Sequence, residues 1–470
     1  MGAPMKIAHD QGTLLLTGLA PEHLGAFVGA RLDPRVGCLR APGHAYAAIL
    51  DRARELGLAI DDALAASRLE APSLATRAAI DASLRPYQER ALLGWELADR
   101  RGLVVLPTGA GKTRVGLAAI ARSAAPSLVV VPTRALLEQW QRSLAEGLAA
   151  PIARYGDGAH ELGPITVATY ASALRHAGAM APRFSLLVVD EAHHFGDAAM
   201  DEILETSTAT ARLGLTATPP DGLAARRLSE LVGPIVCDVS VHDLAGQWLA
   251  PFDQLVLSLP LTDAERRAHD GARVTFKRWV ASLGGDRDRS FLELAREAQG
   301  SPEGRAAMAA LHRSRTILAL TEAKERVLAR LLYRHRAQKT LVFVGTNEAA
   351  YRVARRFLVM PITCDIGKDE RASALRRFSE GSLRVLVSAR VLNEGIDVPD
   401  AEIAIVLGGA LGAREHVQRV GRVLRPSEGK RSIVYELVSE GTREGWLSRE
   451  RRQGLRPRDA HDLDDLAEAS

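Results

Sequence analysis

Leu103-Val104-Val105-Leu106-Pro107-Thr108-Gly109-Ala110-Gly111-Lys112-Thr113 carries an apolar run into a glycine-rich turn, and the helical pattern TRVGLAAIAR (113–122) follows without a break. An apolar run fit for burial on both faces, then a turn, then a helix is the repeating unit of a parallel α/β sheet. Glycines let backbone amides close on phosphate, and the helix N-terminus adds partial positive charge. Lys112 can then reach the outer phosphates of a nucleotide, and the Thr113 hydroxyl can ligate magnesium. Thr108, Gly109, Ala110, Gly111, Lys112 and Thr113 are therefore the expected triphosphate-binding residues. A full GxxxxGK[ST] spacing would put glycine at 106, where the chain has Leu106.

Working outward, further Val/Leu/Ile runs alternate with helical stretches: SLVVVP (127–132), ITVAT (165–169), SLLVVD (185–190) and ARLGLT (211–216). A second series comprises TLVFVG, PITCDI, RVLVSA, EIAIVLG and SIVYELV, with NEAAYRVARRFL and ERASALRRFSE as helices between its members. Alternation of this kind predicts two doubly wound parallel-sheet lobes, at 81–238 and 239–452. Within the second, about 262–320 turns charged and Ala-rich with Gly breaks, which predicts a helical insertion. Residues 1–80 form a separate small α+β unit, with TLLLTGL as a strand and HAYAAILDRARELGLAI as a helix. The end, 453–470, is an acidic tail.

SLLVVD delivers Asp190 and Glu191 to the sheet edge that carries the phosphate loop. Asp190 is the expected magnesium ligand, and Glu191 the group that orients and deprotonates the attacking water. His193 and His194 follow with no Cys or third His nearby, so coupling or packing suits them better than metal binding. Upstream, Gln88 carries the donor–acceptor pair that can read an adenine edge, and Arg85 or Tyr87 could stack on the base. In the second lobe Gln418, Arg422 and Arg425 fall on one helical face, where arginines would stabilise phosphoryl-transfer charge. Gly395 permits close backbone approach, and Asp397 can accept a bond from ribose.

PTGAGKT, DEAH, TATP, SARVLNEGIDVP and QRVGRVLR, in that order, resemble the superfamily 2 helicases. The resemblance implies two RecA-like lobes hydrolysing ATP in the cleft between them. It also implies that Thr216 and Thr218, together with His193, couple hydrolysis to strand contact. Nucleic-acid contacts would fall on Pro132-Thr133-Arg134, Thr169-Tyr170, Gly345-Thr346-Asn347 and Ser388. DPRVGCLRAP, DEAHH, LAPF, VLNEGIDVPDA, GGALGAREHVQRVGRVLRP and YELVSEGTREGWLSRERR look more specifically like the XPB family, in its short archaeal and bacterial form. That implies an N-terminal damage-recognition domain, a helical thumb insertion, and 3′-to-5′ movement on DNA or opening of it, in repair or transcription. Family members carry Arg-Glu-Asp just after TAT, whereas this chain reads Thr218-Pro219-Pro220-Asp221-Gly222 and keeps only the Asp.

Two readings of function stay open on that departure: a DNA helicase or duplex translocase, and a nucleotide-switched DNA-clamping ATPase that does not separate strands. An RNA helicase fits less well, because DEAH with TATP and VLNEGIDVP differs from the DEAD and SAT pattern of RNA remodelers. Net charge is only +4, but 414–458 carries twelve Arg/Lys against six Asp/Glu. ATP and Mg2+ are the expected cofactors and duplex or forked DNA the expected partner. No nuclease constellation is visible, so a separate nuclease protein is the expected partner for cutting. No apolar run reaches the roughly 20 residues of a membrane helix, and MGAPMKIAHD lacks a signal-peptide pattern, so a cytoplasmic, nucleoid-associated protein is expected. Cys38, Cys237 and Cys364 are far apart and read as buried small hydrophobes rather than a disulfide or zinc framework.

Overall fold

The computed structural model describes residues 4–19, 23, 25–27, 29–72, 83–148, 150–284, 291–389, 401–408 and 431–453. Gly395, Asp397, Gln418, Arg422 and Arg425 lie outside the described residues, as does the tail beyond Gln453. The chain falls into two compact units that part between Ser240 and Val241.

The first unit opens with a five-stranded mixed sheet, in spatial order Arg31–Asp33, Cys38–Pro42, Thr13–Thr17, Met5–Asp10, Ile60–Asp62. Its neighbours run antiparallel except the last pair. Alternating burial along Thr13–Thr17 puts Leu14 and Leu16 on a core with Ile7, Leu39, Tyr46 and Ile49, the last two from the helix Tyr46–Glu55. This sheet is seated on the rest of the unit through backbone. A β-carbon added to Gly43 would lie 1.9 Å from the Thr206 carbonyl oxygen, closer than any side chain can come. Arg68 donates to the carbonyls of Phe184 (2.5 Å) and Thr208 (3.2 Å), and the Leu69 amide donates to Arg183 O.

The remainder of the unit is an eight-stranded sheet ordered Ile235–Asp238, Arg101–Val105, Ala211–Thr216, Leu186–Asp190, Ser127–Val131, Ile165–Thr169, Ala153–Gly156, Ala159–His160. Every pairing is parallel except the final hairpin. The five expected runs form its centre, where Ser127–Val131, Ile165–Thr169 and Leu186–Asp190 are buried along their whole length. Three strands were not expected. Ile235–Asp238 is half-buried at an edge, and the hairpin Ala153–His160 is too short and polar to stand out. Arg212, on the strand beside the phosphate-loop strand, is wholly buried. Its guanidinium donates to the carbonyls of Leu204, Ser207, Ala209 and Leu231, closing the ends of the helices Glu202–Thr206 and Gly222–Leu231. Burial pulls its pKa down to about 9.

The second unit is a six-stranded, all-parallel sheet ordered Phe252–Leu259, Ser432–Ser439, Ile403–Val406, Thr340–Phe343, Val385–Ser388, Met360–Ile362. Phe252–Leu259 was likewise unexpected. It lies at the edge with half-buried residues, so its run lacks the continuous apolar signal of a central strand. Between it and Thr340 the chain forms the helices Asp263–Ser282, Phe291–Gln299, Pro302–Ala319 and Glu322–Arg334. The root of this helical excursion is tied down. Glu265, in the capping box of the first helix, accepts from the Thr262 and Glu322 amides. Lys324 is fully buried and donates to Leu318 O (2.5 Å) and to Glu444 (2.7 Å).

Candidate nucleotide site and nucleic-acid surface

The phosphate loop takes its shape from two left-handed glycines, Gly109 (φ +87°) and Gly111 (φ +80°), the second being the N-cap of the helix Lys112–Ser123. That conformation costs glycine little and other residues more. Lys112 Nζ donates to Leu106 O (3.3 Å) across the loop. Thr113 is half-buried in the first turn of the helix, beside Lys112.

Gln88, expected at the adenine edge, is bonded to the phosphate loop. It is buried in the capping box of the helix Pro86–Leu97, its Oε1 accepting from the Arg85 amide at 2.9 Å. Its Nε2 donates to Ala110 O at 2.9 Å, and Tyr87 Oη donates to the same oxygen at 2.7 Å. Arg85 in turn donates to Tyr87 Oη. Both ends of the Gln88 amide are thus engaged in holding the loop.

Asp190 ends its strand buried, its Oδ2 accepting from Trp140 Nε1 (2.7 Å) and its Oδ1 from the Glu191 amide (3.0 Å). Burial and the neighbouring Glu191 charge push its pKa up to about 6, against the opposing influence of the Trp140 bond and Lys112. Trp140 reaches it because residue 116 is glycine. A β-carbon there would lie 2.4 Å from the Trp140 ring. Neither residue was singled out from sequence, since a tryptophan on an amphipathic helix reads as core.

Glu191 sits at φ +53°, a strained conformation for a side-chain-bearing residue and a common mark of functional sites. The hydroxyl of Tyr170 fixes the turn by donating to the carbonyls of Asp190 and Glu191. Tyr170, expected among the nucleic-acid contacts, is buried here. Glu191 Oε2 is buried without a hydrogen-bond partner among the described residues and lies 3.4 Å from His193 Nδ1. The same nitrogen lies 3.1 Å from Thr216 Oγ1. Thr216 Oγ1 in turn accepts from the Thr218 amide and donates to the Thr218 carbonyl. A continuous polar path therefore runs from Glu191 through His193 to the Thr216–Thr218 turn, while His194 stacks on His193 at 4.4 Å between ring centroids. Pro219 and Pro220 are buried and Asp221 is exposed at the N-cap of the next helix.

The buried Asp190 carboxylate, which holds its proton tightly, beside the half-buried Glu191 with its orphaned Oε2, is a donor set that a hard divalent cation would satisfy. No group of three His, Cys, Asp or Glu able to hold a metal occurs among the described residues. A cation at Asp190 and Glu191 would draw its other ligands from the Thr113 hydroxyl, phosphate and water.

Of the expected nucleic-acid residues, Arg134 is exposed at a helix start and pairs with Asp157 at 2.6 Å. Thr169 and Thr346 cap the helices Tyr170–Arg175 and Asn347–Phe357. Ser388 is buried, its hydroxyl without a partner among the described residues. Cys364 departs from expectation by being exposed, beside Asn347 and Asp365.

Residues 81–221 match the family described as Type III restriction enzyme, res subunit, and residues 323–427 the Helicase conserved C-terminal domain. Residues 7–64 match the Xeroderma pigmentosum group B helicase damage recognition domain. A protein named DNA 3′-5′ translocase XPB2, from Sulfurisphaera tokodaii, is 38% identical over 79% of this chain and 84% of its own length. The chain belongs to the XPB family. Other relatives include a putative DNA 3′-5′ helicase Rad25 from Halobacterium salinarum, 30% identical over 95% of this chain and 70% of its own length. A DNA 3′-5′ helicase XPB from Mycobacterium tuberculosis is 27% identical over 79% and 67%. The helicase domain of Pyrococcus furiosus Hef shares the fold, with a TM-score of 0.55 over 81% of this XPB-family chain and all of that one at 17% identity. The expectation of two RecA-like α/β lobes agrees with that likeness.

Proposed function

We propose that this XPB-family protein is a DNA-dependent ATPase that moves 3′ to 5′ on DNA, as a helicase or duplex translocase in repair or transcription-linked opening. The observation that carries the reading is the Glu191–His193–Thr216 path behind the phosphate loop, which joins the hydrolytic carboxylate to the turn expected to couple to the strand. In this reading the amides of Gly109 to Thr113 cradle the phosphates of ATP, and Lys112 exchanges Leu106 O for the outer phosphates. Thr113 and Asp190 hold Mg2+, which neutralises phosphate charge when bound. Glu191 Oε2 takes the proton of the attacking water. Arg85 and Gln88 stay at the adenine end, Gln88 as the loop's anchor. Gly395 and Asp397 serve the ribose, and Gln418, Arg422 and Arg425 the transferring phosphoryl group. Arg134, Thr169, Thr346 and Ser388 line the track.

The domain assignment follows the same reading: damage recognition at 1–80, lobes at 81–238 and 239–452 with the thumb at about 262–320, and a tail at 453–470. The protein works in the cytoplasm on the nucleoid. No helix among the described residues is long and apolar enough to cross a membrane. Cutting, where it accompanies the activity, comes from a separate nuclease protein, which pulldown and nuclease assay would detect.

The test is ATP hydrolysis with and without DNA. Glu191→Gln and Lys112→Ala should abolish turnover and leave DNA binding intact. Hydrolysis unaffected by Glu191→Gln refutes the assignment, and stimulation by RNA alone refutes the choice of DNA. Pro219-Pro220-Asp221 favours a second reading, a DNA-clamping switch without strand separation. Triplex displacement on blunt duplex without strand displacement on a 3′-tailed duplex points to translocation alone, and failure of both points to the clamp.

A further inference from the structure

The hairpin Ala153–His160 adds Arg154, Asp157 and His160, which no motif above includes, to the expected contacts at Arg134 and Thr169. At its tip Gly156 (φ +135°), Asp157 (φ +55°) and Gly158 (φ +87°) turn the chain tightly. A β-carbon on Gly156 would stand 2.9 Å from Ser172 Oγ and 3.2 Å from Thr169 Oγ1, so the tip is pressed onto the Thr169 turn. The Asp157 carboxylate is gripped by two arginines, Arg134 through Oδ1 at 2.6 Å and Arg154 through Oδ2 at 2.9 Å. Arg154 Nε has no hydrogen-bond partner among the described residues and is buried. Beside this grip Tyr155, His160 and His176 pack edge to face, with centroids 5.1, 5.2 and 5.9 Å apart, and His160 is exposed.

Two guanidinium groups converging on the two oxygens of one exchangeable anion form a phosphate seat with its own carboxylate in place. Aromatic rings next to such a seat offer a stacking face to an unpaired base. We propose that this hairpin is a further contact of the protein for single-stranded nucleic acid. A backbone phosphate replaces Asp157 between Arg134 and Arg154, and a base stacks on the His160 face of the ring cluster. Asp157 acts as an internal competitor that keeps the seat closed until a strand arrives. The proposal rests on the reading of the protein as a DNA-binding motor.

The test is binding of the full chain to a labelled single-stranded oligonucleotide and to blunt duplex over a salt series. Asp157→Asn removes the competing charge and keeps the turn, because asparagine tolerates the left-handed conformation; it should tighten single-strand binding by about two- to fivefold, on the scale of a surface ion pair. Arg154→Gln should weaken it and lower the slope of log affinity against log salt by about 0.7, one phosphate on a single strand. His160→Ala should weaken single-strand binding at least fivefold, at the lower end of base stacking at about 1 kcal/mol, and spare the duplex. Unchanged or weaker binding by Asp157→Asn together with an unchanged slope in Arg154→Gln overturns the seat. Equal loss on both DNAs in His160→Ala overturns the stacking face. A wild-type chain that binds no DNA would refute the motor reading itself, whereas wild-type binding that none of the three substitutions alters refutes only this inference.

Discussion

Replacing Asp190 with asparagine should stabilise the metal-free protein at alkaline pH while destroying its hydrolysis. Asp190 is buried and its pKa is pushed up to about 6, from 3.8 in the unfolded chain. An acid whose folded pKa is raised binds its proton more tightly when folded. Its contribution to stability is therefore lost as pH climbs from 3.8 through 6 and stays lost above. About two pKa units at 1.36 kcal/mol each make the ionised group a burden of about 3 kcal/mol at pH 8, and about half that at pH 5. Asparagine escapes this burden but offers one acceptor where the carboxylate offers two, to Trp140 Nε1 and to the Glu191 amide. The mismatched donor costs about 1.5 kcal/mol. The balance is near zero at pH 5 and about +1.5 kcal/mol at pH 8, or a rise in Tm of roughly 3 to 6 °C for a unit of this size. Scanning calorimetry in EDTA at both pH values measures it. An asparagine variant less stable than wild type at pH 8, or a difference that does not grow with pH, would refute the account of why this carboxylate is uncomfortable.

Three further outcomes follow from contacts described above. Gly116→Ala should cost about 1 to 3 kcal/mol by driving its β-carbon into Trp140 and should slow ATP hydrolysis by loosening the Trp140–Asp190 bond; urea unfolding and turnover measured on the same sample read both. Thr216→Val removes the hydroxyl 3.1 Å from His193 Nδ1, and the loss of a buried bond worth about 1 to 2 kcal/mol should reduce DNA stimulation of the ATPase by about five- to thirtyfold. A variant with reduced basal hydrolysis and full stimulation would contradict the path. Lys324→Met should cost about 3 to 5 kcal/mol by leaving Glu444 charged and buried, and adding Glu444→Leu should recover much of the loss in thermal unfolding.

The centre of both sheets was legible because parallel strands covered on two faces must be apolar at every position, as Val129-Val130-Val131 and Val188-Val189 are. The edges were not, because a half-buried strand such as Phe252–Leu259 mixes polar and apolar residues and blurs the signal. Strand order placed Asp190 and Glu191 on the sheet edge that carries the phosphate loop, since successive parallel strands end on one side of a sheet, and the family resemblance added His193 and Thr216. It could not reveal Trp140 or Gly116, whose roles depend on how two helices cross. Nor could it show that the Gln88 amide is engaged with the loop backbone, because a side chain's partner is a matter of a few ångströms and not of chain distance.

The seating of the N-terminal sheet has a consequence for how the protein can be divided and how it can vary. Its contacts with the sheet below are made largely to carbonyl oxygens, those of Phe184, Thr206 and Thr208. A graft of this segment from a relative carries its own Arg68 and Gly43 equivalents or it does not fit, whatever the rest of its surface. Excising it would leave carbonyls at 184 and 208 without the donors they have here, so a motor prepared without its first 72 residues would differ from this one in its own packing, not merely in what it has lost.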